Sequence, residues 1–269
     1  MRIGIIGYGS MGKMLAGKFA VSGKQKEGPI LVSSRTKEKL KTLPAGVDAC
    51  CNNMELAALA DIIFLCVKPE DLKGIIEEIK PILKQSTLLV SLNGSVSFAS
   101  LERIAERKIA KVIPSVTAEI NRSQTLVCYN RLVEEKDKTQ LKGLLECIGD
   151  IIELPEHEMG MGSELVSCMP GFIASIFDVI CRSAKEHTEI PAGQVIQMVL
   201  KTMTATGEMM LKNNSSYGEI VSRVATRGGI TEEGTKVVYE LFPAVADLLF
   251  EKTLEKRKQT AKRAEETFC

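Results

Sequence analysis

The chain has 269 residues, of which 45% are hydrophobic, and this suffices for one large or two modest domains with buried cores. Thirty-five basic and thirty-four acidic side chains leave a formal net charge of +1, so bulk electrostatics predict neither a nucleic-acid partner nor an anionic membrane surface. Only two histidines are present, which excludes a His-rich metal site.

The cysteines and the first residues indicate the cellular compartment of the protein. Eight cysteines form no CxxC pair and mostly lie in apolar runs such as IIFLCV, which suits a reducing cytoplasm. The first residues lack the apolar core and cleavage site of a signal peptide, and we expect no segment long enough to cross a bilayer. The partners expected are therefore small molecules, with no membrane and no nucleic acid.

Residues 1 to about 155 alternate short β-rich runs with helical patterns. The strand-like runs are, in chain order, RIGIIG, ILVSS, DIIFLCV, TLLVSL, AKVIP, TLVCYN and DIIEL. The helical patterns between them include TKEKLKTL after ILVSS and PEDLKGIIEEIKPIL after DIIFLCV, and Pro69 is expected to begin the second of these helices. Continuous apolar strands that alternate with helices predict a mostly parallel sheet covered on both faces. The fold class expected is therefore α/β, with a doubly wound parallel sheet in a dinucleotide-binding domain over residues 1–157.

Strand-like runs disappear after Pro155 and helical periodicity takes over, with Pro170, Pro191 and Pro243 as punctuation. Residues 158–269 are therefore predicted to form a C-terminal all-α domain. Its segments are apolar on more than one face and rich in methionine, which is a lot of apolar surface for so few helices to cover. We expect a homodimer through these helices, and packing on the first domain is the alternative.

The first glycine cluster has the pattern G-x-G-x-x-G, and it follows the first strand and opens the first helix. In that context Gly7 permits a tight turn, Gly9 lets the backbone approach a pyrophosphate, and Gly12 permits close helix packing. The sequence therefore predicts a Rossmann-type dinucleotide site formed by the loop residues Gly7, Tyr8, Gly9, Ser10, Met11 and Gly12.

The end of the second strand bears on the choice between NADPH and NADH. An NAD site places Asp or Glu there, about 20 residues after the glycine loop, to bind the ribose hydroxyls. Glu27 has that spacing but precedes the strand, whose carboxyl end carries Ser34, Arg35 and Lys37 instead. These donors and cations suit a 2′-phosphate and favour NADPH, with NADH left open.

Three further turns carry polar residues. Val67-Lys68-Pro69 follows the strand DIIFLCV, and Asn93 lies in the turn after TLLVSL, so both are expected at the cofactor edge of the sheet. Far downstream, TRGGITEEG (226–234) combines a glycine turn with a threonine and two glutamates. This pattern is typical of a helix start whose free N–H groups bind an anion, and an ordinary turn between helices is the alternative.

The glycine loop, DIIFLCVKP, a proline opening the long helix and the late GG-x-T turn together resemble the Δ1-pyrroline-5-carboxylate reductases over essentially the whole chain. The resemblance implies an N-terminal Rossmann domain and a helical C-terminal domain that interlocks two subunits. It also implies reduction of the cyclic imine of pyrroline-5-carboxylate to proline with NAD(P)H. Some family members assemble further, so a higher homo-oligomer is left open.

The site follows from these motifs and from the resemblance. Beyond the glycine loop, the cofactor contacts expected are Ser34, Arg35, Asn53, Val67, Lys68, Pro69 and Asn93. The substrate contacts expected are Cys168, Arg227, Gly228, Gly229, Ile230 and Thr231. The N–H groups of the late turn would hold the substrate carboxylate, Arg227 would add a charged contact, and the Thr231 hydroxyl would orient the ring as the catalytic residue.

Three motifs depart from the family pattern. The family's Ser-Pro-Gly-Gly-Thr-Thr is Thr-Arg-Gly-Gly-Ile-Thr at 226–231, its Gly-Ser-Gly-Pro-Ala is Ser-Cys-Met-Pro-Gly at 167–171, and its Met-Pro-Asn-Thr-Pro is Ile-Pro-Ser-Val-Thr at 113–117. These variants look like a divergent branch that includes a protein encoded in bacterial competence operons. Two other functions therefore stay open: reduction of another cyclic imine or small carbonyl acid, and an NADP-binding regulatory or scaffold role with little turnover.

Overall fold

A computed structural model describes residues 1–24 and 28–268, so Glu27 lies outside the described residues. Within them, one sheet has the strand order β3-β2-β1-β4-β5-β6-β7-β8. The strands are Ile3–Ile6 (β1), Ile30–Ser33 (β2), Val47–Ala49 (β3), Ile62–Leu65 (β4), Leu88–Ser91 (β5), Lys108–Ile113 (β6), Ser123–Tyr129 (β7) and Gly149–Glu153 (β8).

Neighbouring strands pair in parallel except β6 and β7, which are antiparallel. The α-helices are Ser10–Ser22 (α1), Asn53–Leu59 (α2), Pro69–Ile79 (α3), Phe98–Ile104 (α4), Glu135–Leu145 (α5), Met159–Ser163 (α6), Met169–Lys185 (α7), Ala192–Asn213 (α8), Tyr217–Val224 (α9) and Ile230–Phe268 (α10). A single π-helical turn, Glu164–Cys168, joins α6 to α7.

The sheet is covered on both faces, as predicted. One buried cluster unites side chains of α2, α3 and α4 with strand residues such as Ile63 and Leu65, and a second unites α1 and α5 with Phe64 and Val90. Every residue of β1, β4 and β5 is buried, which explains why these strands read as continuous apolar runs. The α/β doubly wound sheet is therefore confirmed.

One local prediction near the second strand was wrong, and two nearby elements were not predicted. The run TKEKLKTL was expected to be a helix, but only Lys37–Leu40 forms a 3-10 turn, because this charged segment buries none of those four residues. The short strand β3 and the helix α2 were not predicted. Helix α2 follows the N-cap Asn52, whose side chain accepts a hydrogen bond from the Glu55 N–H, so a capping signal was present in the sequence.

The chain divides into two compact units. The first contains Met1–Pro170 together with the chain from Leu254 onward, and the second contains Gly171–Thr253. The all-helical character predicted after the sheet is confirmed by α6 to α10. The division into compact units groups the last part of α10 with the sheet, so it does not coincide with the predicted domains. The domain boundary between residues 157 and 158 therefore stays a prediction.

Two expectations about the helical region are corrected. Pro243 was expected to mark a break between helices, but it lies inside α10. A proline removes only one backbone hydrogen bond from a long run of otherwise good helix formers, so the helix continues through it. Helical pieces also join end to end over Glu156–Lys185, a stretch that is long and apolar enough to cross a membrane by length and composition alone. A helix buried by other protein satisfies the same criterion, so this finding carries no assignment.

Candidate functional site

The carboxyl ends of the parallel strands place the predicted cofactor residues at one edge of the sheet. In the ladder, Ile6 lies opposite Ser33 of β2 and Leu65 of β4, and Leu65 lies opposite Ser91 of β5. The strand order reverses between β1 and β4, and a crevice at such a reversal is where doubly wound sheets bind nucleotides. The glycine loop follows β1 directly at this point.

The glycine loop has the geometry that a dinucleotide pyrophosphate requires. Gly7 has φ +98°, and its N–H donates to the Ser33 carbonyl at 3.0 Å, so β1 turns sharply after Ile6. A Cβ at Gly12 would lie 2.0 Å from the Gly7 carbonyl oxygen, so α1 packs against the loop without room for a side chain. A Cβ at Gly9 would meet no protein atom within 4 Å, which leaves that face open to a ligand.

The three non-glycine residues of the loop occupy different environments. Tyr8 is only 4% exposed and packs in the core, where burial raises the pKa of its phenol. A contact between Tyr8 and the cofactor would therefore come from its backbone. Met11 is partly buried against the same core, whereas Ser10 is exposed at the first position of α1, where N–H groups have no acceptor within the helix. Ser10 is therefore available to a phosphate.

The residues after β2 form a polar cluster. Arg35 has a side chain that is 86% exposed, and its Nη1 lies 3.2 Å from Asp71 Oδ1 in the first turn of α3. Asn53 begins α2; its Oδ1 accepts from the Ser33 hydroxyl at 2.7 Å, and its Nδ2 donates to Glu78 at 2.8 Å. The Asn53 amide therefore fixes the end of β2, and Arg35 is an exposed cation that follows the same strand.

The residues after β4 and β5 complete this edge. Val67 packs on the core, and Lys68 precedes Pro69, which is the first residue of α3 as predicted. The Lys68 ammonium is exposed and lies 3.6 Å from Glu70. Asn93 is 8% exposed, and its Oδ1 accepts from the Ser95 N–H at 2.9 Å, so the turn after β5 is held by its own side chain.

The late glycine turn, in the second unit, is a helix start. Gly228 has φ +73°, the Gly229 N–H donates to the Thr226 carbonyl at 2.8 Å, and α10 begins at Ile230. The side chain of Ile230 is 95% exposed, and Thr231 and Arg227 are also exposed. The Thr231 hydroxyl makes no hydrogen bond within the part of the chain that the structure describes.

A carboxylate of the chain itself already occupies this turn. Glu232 Oε2 accepts a hydrogen bond from the Gly228 N–H at 2.6 Å. Because the Gly229 N–H is also used internally, the donors left for a ligand are N–H groups in the first turn of α10, among them those of Ile230 and Thr231, rather than the whole glycine turn. Sequence reasoning missed this role of Glu232, although an acidic residue in the first helical turn is the signal for it.

Cys168 lies in the first unit, at the last position of the π-helical turn. Burial raises the pKa of its thiol, and the nearby Glu164 carboxylate raises it further. Such π-turns are frequent at functional sites. Sequence reasoning named Cys168 but not its neighbours Glu164 and Arg257, since nothing in the sequence brings residues 93 positions apart together.

Comparison with known proteins agrees with this geometry. The family described as "NADP oxidoreductase coenzyme F420-dependent" matches residues 2–94, and the family described as "Pyrroline-5-carboxylate reductase dimerisation" matches residues 156–260. The chain is 32% identical to pyrroline-5-carboxylate reductase 3 of Bacillus subtilis, over 95% of each protein. The chain belongs to the pyrroline-5-carboxylate reductase family.

The chain is also similar to other proteins at lower sequence identity. The chain is 27% identical to pyrroline-5-carboxylate reductase of Escherichia coli, over 97% of this chain and 98% of that one. It is also 25% identical to ComE operon protein 4 of Bacillus subtilis, over 88% of each chain. The fold is that of a Plasmodium falciparum pyrroline carboxylate reductase solved with NADP bound, with a TM-score of 0.86, 24% identity, and coverage of 97% of this chain and 98% of that one.

Proposed function

We propose that this protein reduces 1-pyrroline-5-carboxylate to L-proline with NADPH, the last step of proline biosynthesis. The observation that carries the proposal is family membership over nearly the full length, combined with a glycine loop that leaves an open cradle at Gly9. The retained Gly228, Gly229 and Thr231 of the late turn support the same substrate.

A bound dihydronicotinamide would supply a hydride, which adds to the carbon of the substrate C=N bond while the nitrogen ends as a protonated amine. The residues of this chain bind and orient. The Gly7–Gly12 loop and the start of α1 would hold the pyrophosphate, and Arg35 the 2′-phosphate. The N–H groups of Ile230 and Thr231 would bind the substrate carboxylate, with the exposed Arg227 guanidinium as a second cationic contact. No strong general acid is needed, because a protonated imine already accepts hydride.

A second candidate is the reduction of another cyclic imine or small carbonyl acid. It is favoured by Ile230, which replaces a threonine of the family motif and is almost fully exposed beside Thr231. A third candidate is an NADP-binding regulatory or scaffold role. It is favoured by the Glu232 carboxylate on the Gly228 N–H and by the similarity to ComE operon protein 4.

Steady-state oxidation of NADPH separates these functions. We expect turnover with pyrroline-5-carboxylate, and calorimetry with NADPH alone provides an independent measure of cofactor binding. NADPH binding without turnover on pyrroline-5-carboxylate at millimolar concentration would contradict the proposed activity. A panel of other cyclic imines and 2-oxo acids would then distinguish a different substrate from a binding protein.

NADPH is proposed as the preferred cofactor because of Arg35. We expect Arg35→Ala to weaken NADPH binding about tenfold, since a charge-assisted hydrogen bond to the 2′-phosphate is lost, and to leave NADH binding nearly unchanged. Asp71→Asn is the matched control: it frees Arg35 from an exposed ion pair worth about 0.2–1 kcal/mol and should tighten NADPH binding about 1.4- to 5-fold. Equal losses for the two cofactors in Arg35→Ala would contradict this assignment.

We further propose that the protein is a homodimer through its C-terminal helices. In the single chain, the second unit exposes apolar side chains on several helices, among them Val179, Met198, Val237, Leu241, Val245 and Leu248. Large exposed apolar surfaces are typical of protein–protein interfaces, and the region matches the dimerisation family. Light scattering should give at least twice the mass of one chain. Leu241→Glu should lower the mass, whereas Lys256→Glu, on the exposed end of the same helix, should not.

A further inference from the structure

A buried ion pair of the first unit has no role in the site described so far. The side chain of Glu164 is 2% exposed and that of Arg257 is 23% exposed. Arg257 donates from both Nε and Nη2 to the same oxygen, Glu164 Oε1, at 2.9 and 2.7 Å. Well-packed apolar residues are often at least as stable as a buried ion pair, so stability alone does not explain this one.

The other carboxylate oxygen of Glu164 lacks a partner. Oε2 is buried and makes no hydrogen bond with any described residue. A buried unpaired acceptor is costly, and in native proteins such an atom calls for a nearby donor or a functional reason. Because Oε2 is closed to solvent, its hydrogen-bond donor must come from a neighbouring residue of the protein.

The Cys168 thiol lies beside this carboxylate. The π-helical turn Glu164–Cys168 places both residues in the same turn, and Arg257 Nη2 donates to the Cys168 sulfur at 3.8 Å and to the Ser163 hydroxyl at 3.2 Å. The groups that face the sulfur are therefore Glu164, Arg257 and Ser163. Burial raises the pKa of the Cys168 thiol most, and Glu164 raises it further, while Arg257 and Ser163 lower it.

Arg257 also reaches the turn after β5. A Cβ at Gly94 would lie 3.9 Å from Arg257 Nη1, an ordinary contact distance, and a Cβ at Gly160 would lie 3.3 Å from Arg257 Cδ, so Gly160 is the glycine that leaves space for the arginine. The pair therefore lies between the π-helical turn and the sheet edge that carries Asn93, all within the first unit.

We propose that Glu164, fixed by Arg257 through Oε1, is a positioning residue that holds Cys168 as a neutral thiol, its S–H donated to Glu164 Oε2, where the family motif has a serine hydroxyl. A cysteine differs from a serine mainly because it ionises near neutral pH, and a thiolate would repel a substrate carboxylate. The buried carboxylate suppresses that ionisation. The cysteine then behaves as a serine does, and only the kinetic part of this proposal rests on the proposed function.

Alkylation of the thiol tests the pair without any turnover. Iodoacetamide labelling is followed by mass spectrometry as the pH is raised, with the exposed Cys51 as an internal control. In Glu164→Gln the pKa of Cys168 should fall, because a charge and an acceptor are lost while Arg257 remains, and labelling at pH 8 should accelerate about tenfold. An unchanged rate of Cys168 labelling in a folded variant would overturn the proposal.

Infrared spectroscopy tests the thiol hydrogen bond directly in the wild-type protein. The S–H band of Cys168 is identified as the band that Cys168→Ser removes, and it should lie at the frequency of a hydrogen-bonded thiol. A band at the frequency of a free thiol would also overturn the proposal.

Kinetics give a second readout that a purely structural role would not move. In Glu164→Gln, KM for pyrroline-5-carboxylate should rise with pH as the thiol ionises, with a smaller change in kcat. The double variant Glu164→Gln/Cys168→Ser has no ionisable group at position 168 and should lose this pH dependence. Persistence of the rise in the double variant would refute the assignment. An inactive wild-type protein with the expected thiol behaviour would refute the proposed function alone.

Discussion

An alanine at Gly9 is expected to weaken NADPH binding about 10- to 100-fold while leaving the free energy of unfolding nearly unchanged. The added methyl group meets no protein atom within 4 Å, and Gly9 has an ordinary φ of −83°, so the folded chain accommodates it. The same methyl group projects into the space next to the start of α1, where a pyrophosphate must approach the backbone. The change therefore acts on the ligand and not on the fold.

Two alanine variants of α1 serve as matched controls. Gly12→Ala brings a Cβ to 2.0 Å from the Gly7 carbonyl oxygen, a backbone atom that cannot rotate away, so it should lower both NADPH affinity and, by about 1–3 kcal/mol, the free energy of unfolding. In Gly17→Ala, on the same helix, the added Cβ meets nothing within 4 Å, so neither the NADPH affinity nor the free energy of unfolding should fall. Calorimetry with NADPH and urea denaturation measure the two quantities. Full NADPH affinity in Gly9→Ala would mean that the cofactor does not cross this loop.

The cofactor half of the molecule was predictable because its signals are local. The apolar strand, the glycine pattern and the helix that follows it all lie within residues 3–22, and Pro69 marks the start of α3 because proline suits the first position of a helix. The core of the sheet was predictable for the same reason, since β1, β4 and β5 are buried at every position. The segment after β2 was misread because helical propensity without an apolar face does not specify a helix.

The contacts that tune the site were not predictable, because they join residues distant in sequence. Asn53 stays a predicted cofactor contact, and the hydrogen bonds of its amide to Ser33 and Glu78 could not be read from the sequence. Arg35 has its own counter-ion in Asp71, and the Glu164 carboxylate is held by an arginine at the other end of the chain. Side-chain periodicity specifies which face of an element is buried, whereas these pairings depend on how the elements are placed.

A Thr231→Ala variant is expected to lower kcat/KM for pyrroline-5-carboxylate about 10- to 100-fold, the effect of losing one hydrogen bond to a charged or reacting group. Its stability should change little, because the hydroxyl is exposed and makes no hydrogen bond within the described residues. Thr260→Ala, on the same helix, is the control: its hydroxyl donates to the Lys256 carbonyl at 2.9 Å, and activity should be retained. Unchanged efficiency in Thr231→Ala would place the substrate elsewhere.

Glu232→Gln tests the same turn with the opposite sign. The Glu232 carboxylate would compete with a substrate carboxylate bound at the start of α10, and its neutralisation should lower KM about two- to fivefold, the scale of one charge at an exposed helix terminus. Glu233→Gln removes the same charge one residue later, where the carboxylate is paired with Lys236 at 2.6 Å, and should have a smaller effect. Equal changes in KM would indicate a general effect of net charge. A lower KM in Glu232→Gln alone, together with a loss in Thr231→Ala, would identify this turn as the carboxylate site and Glu232 as the residue that limits substrate affinity.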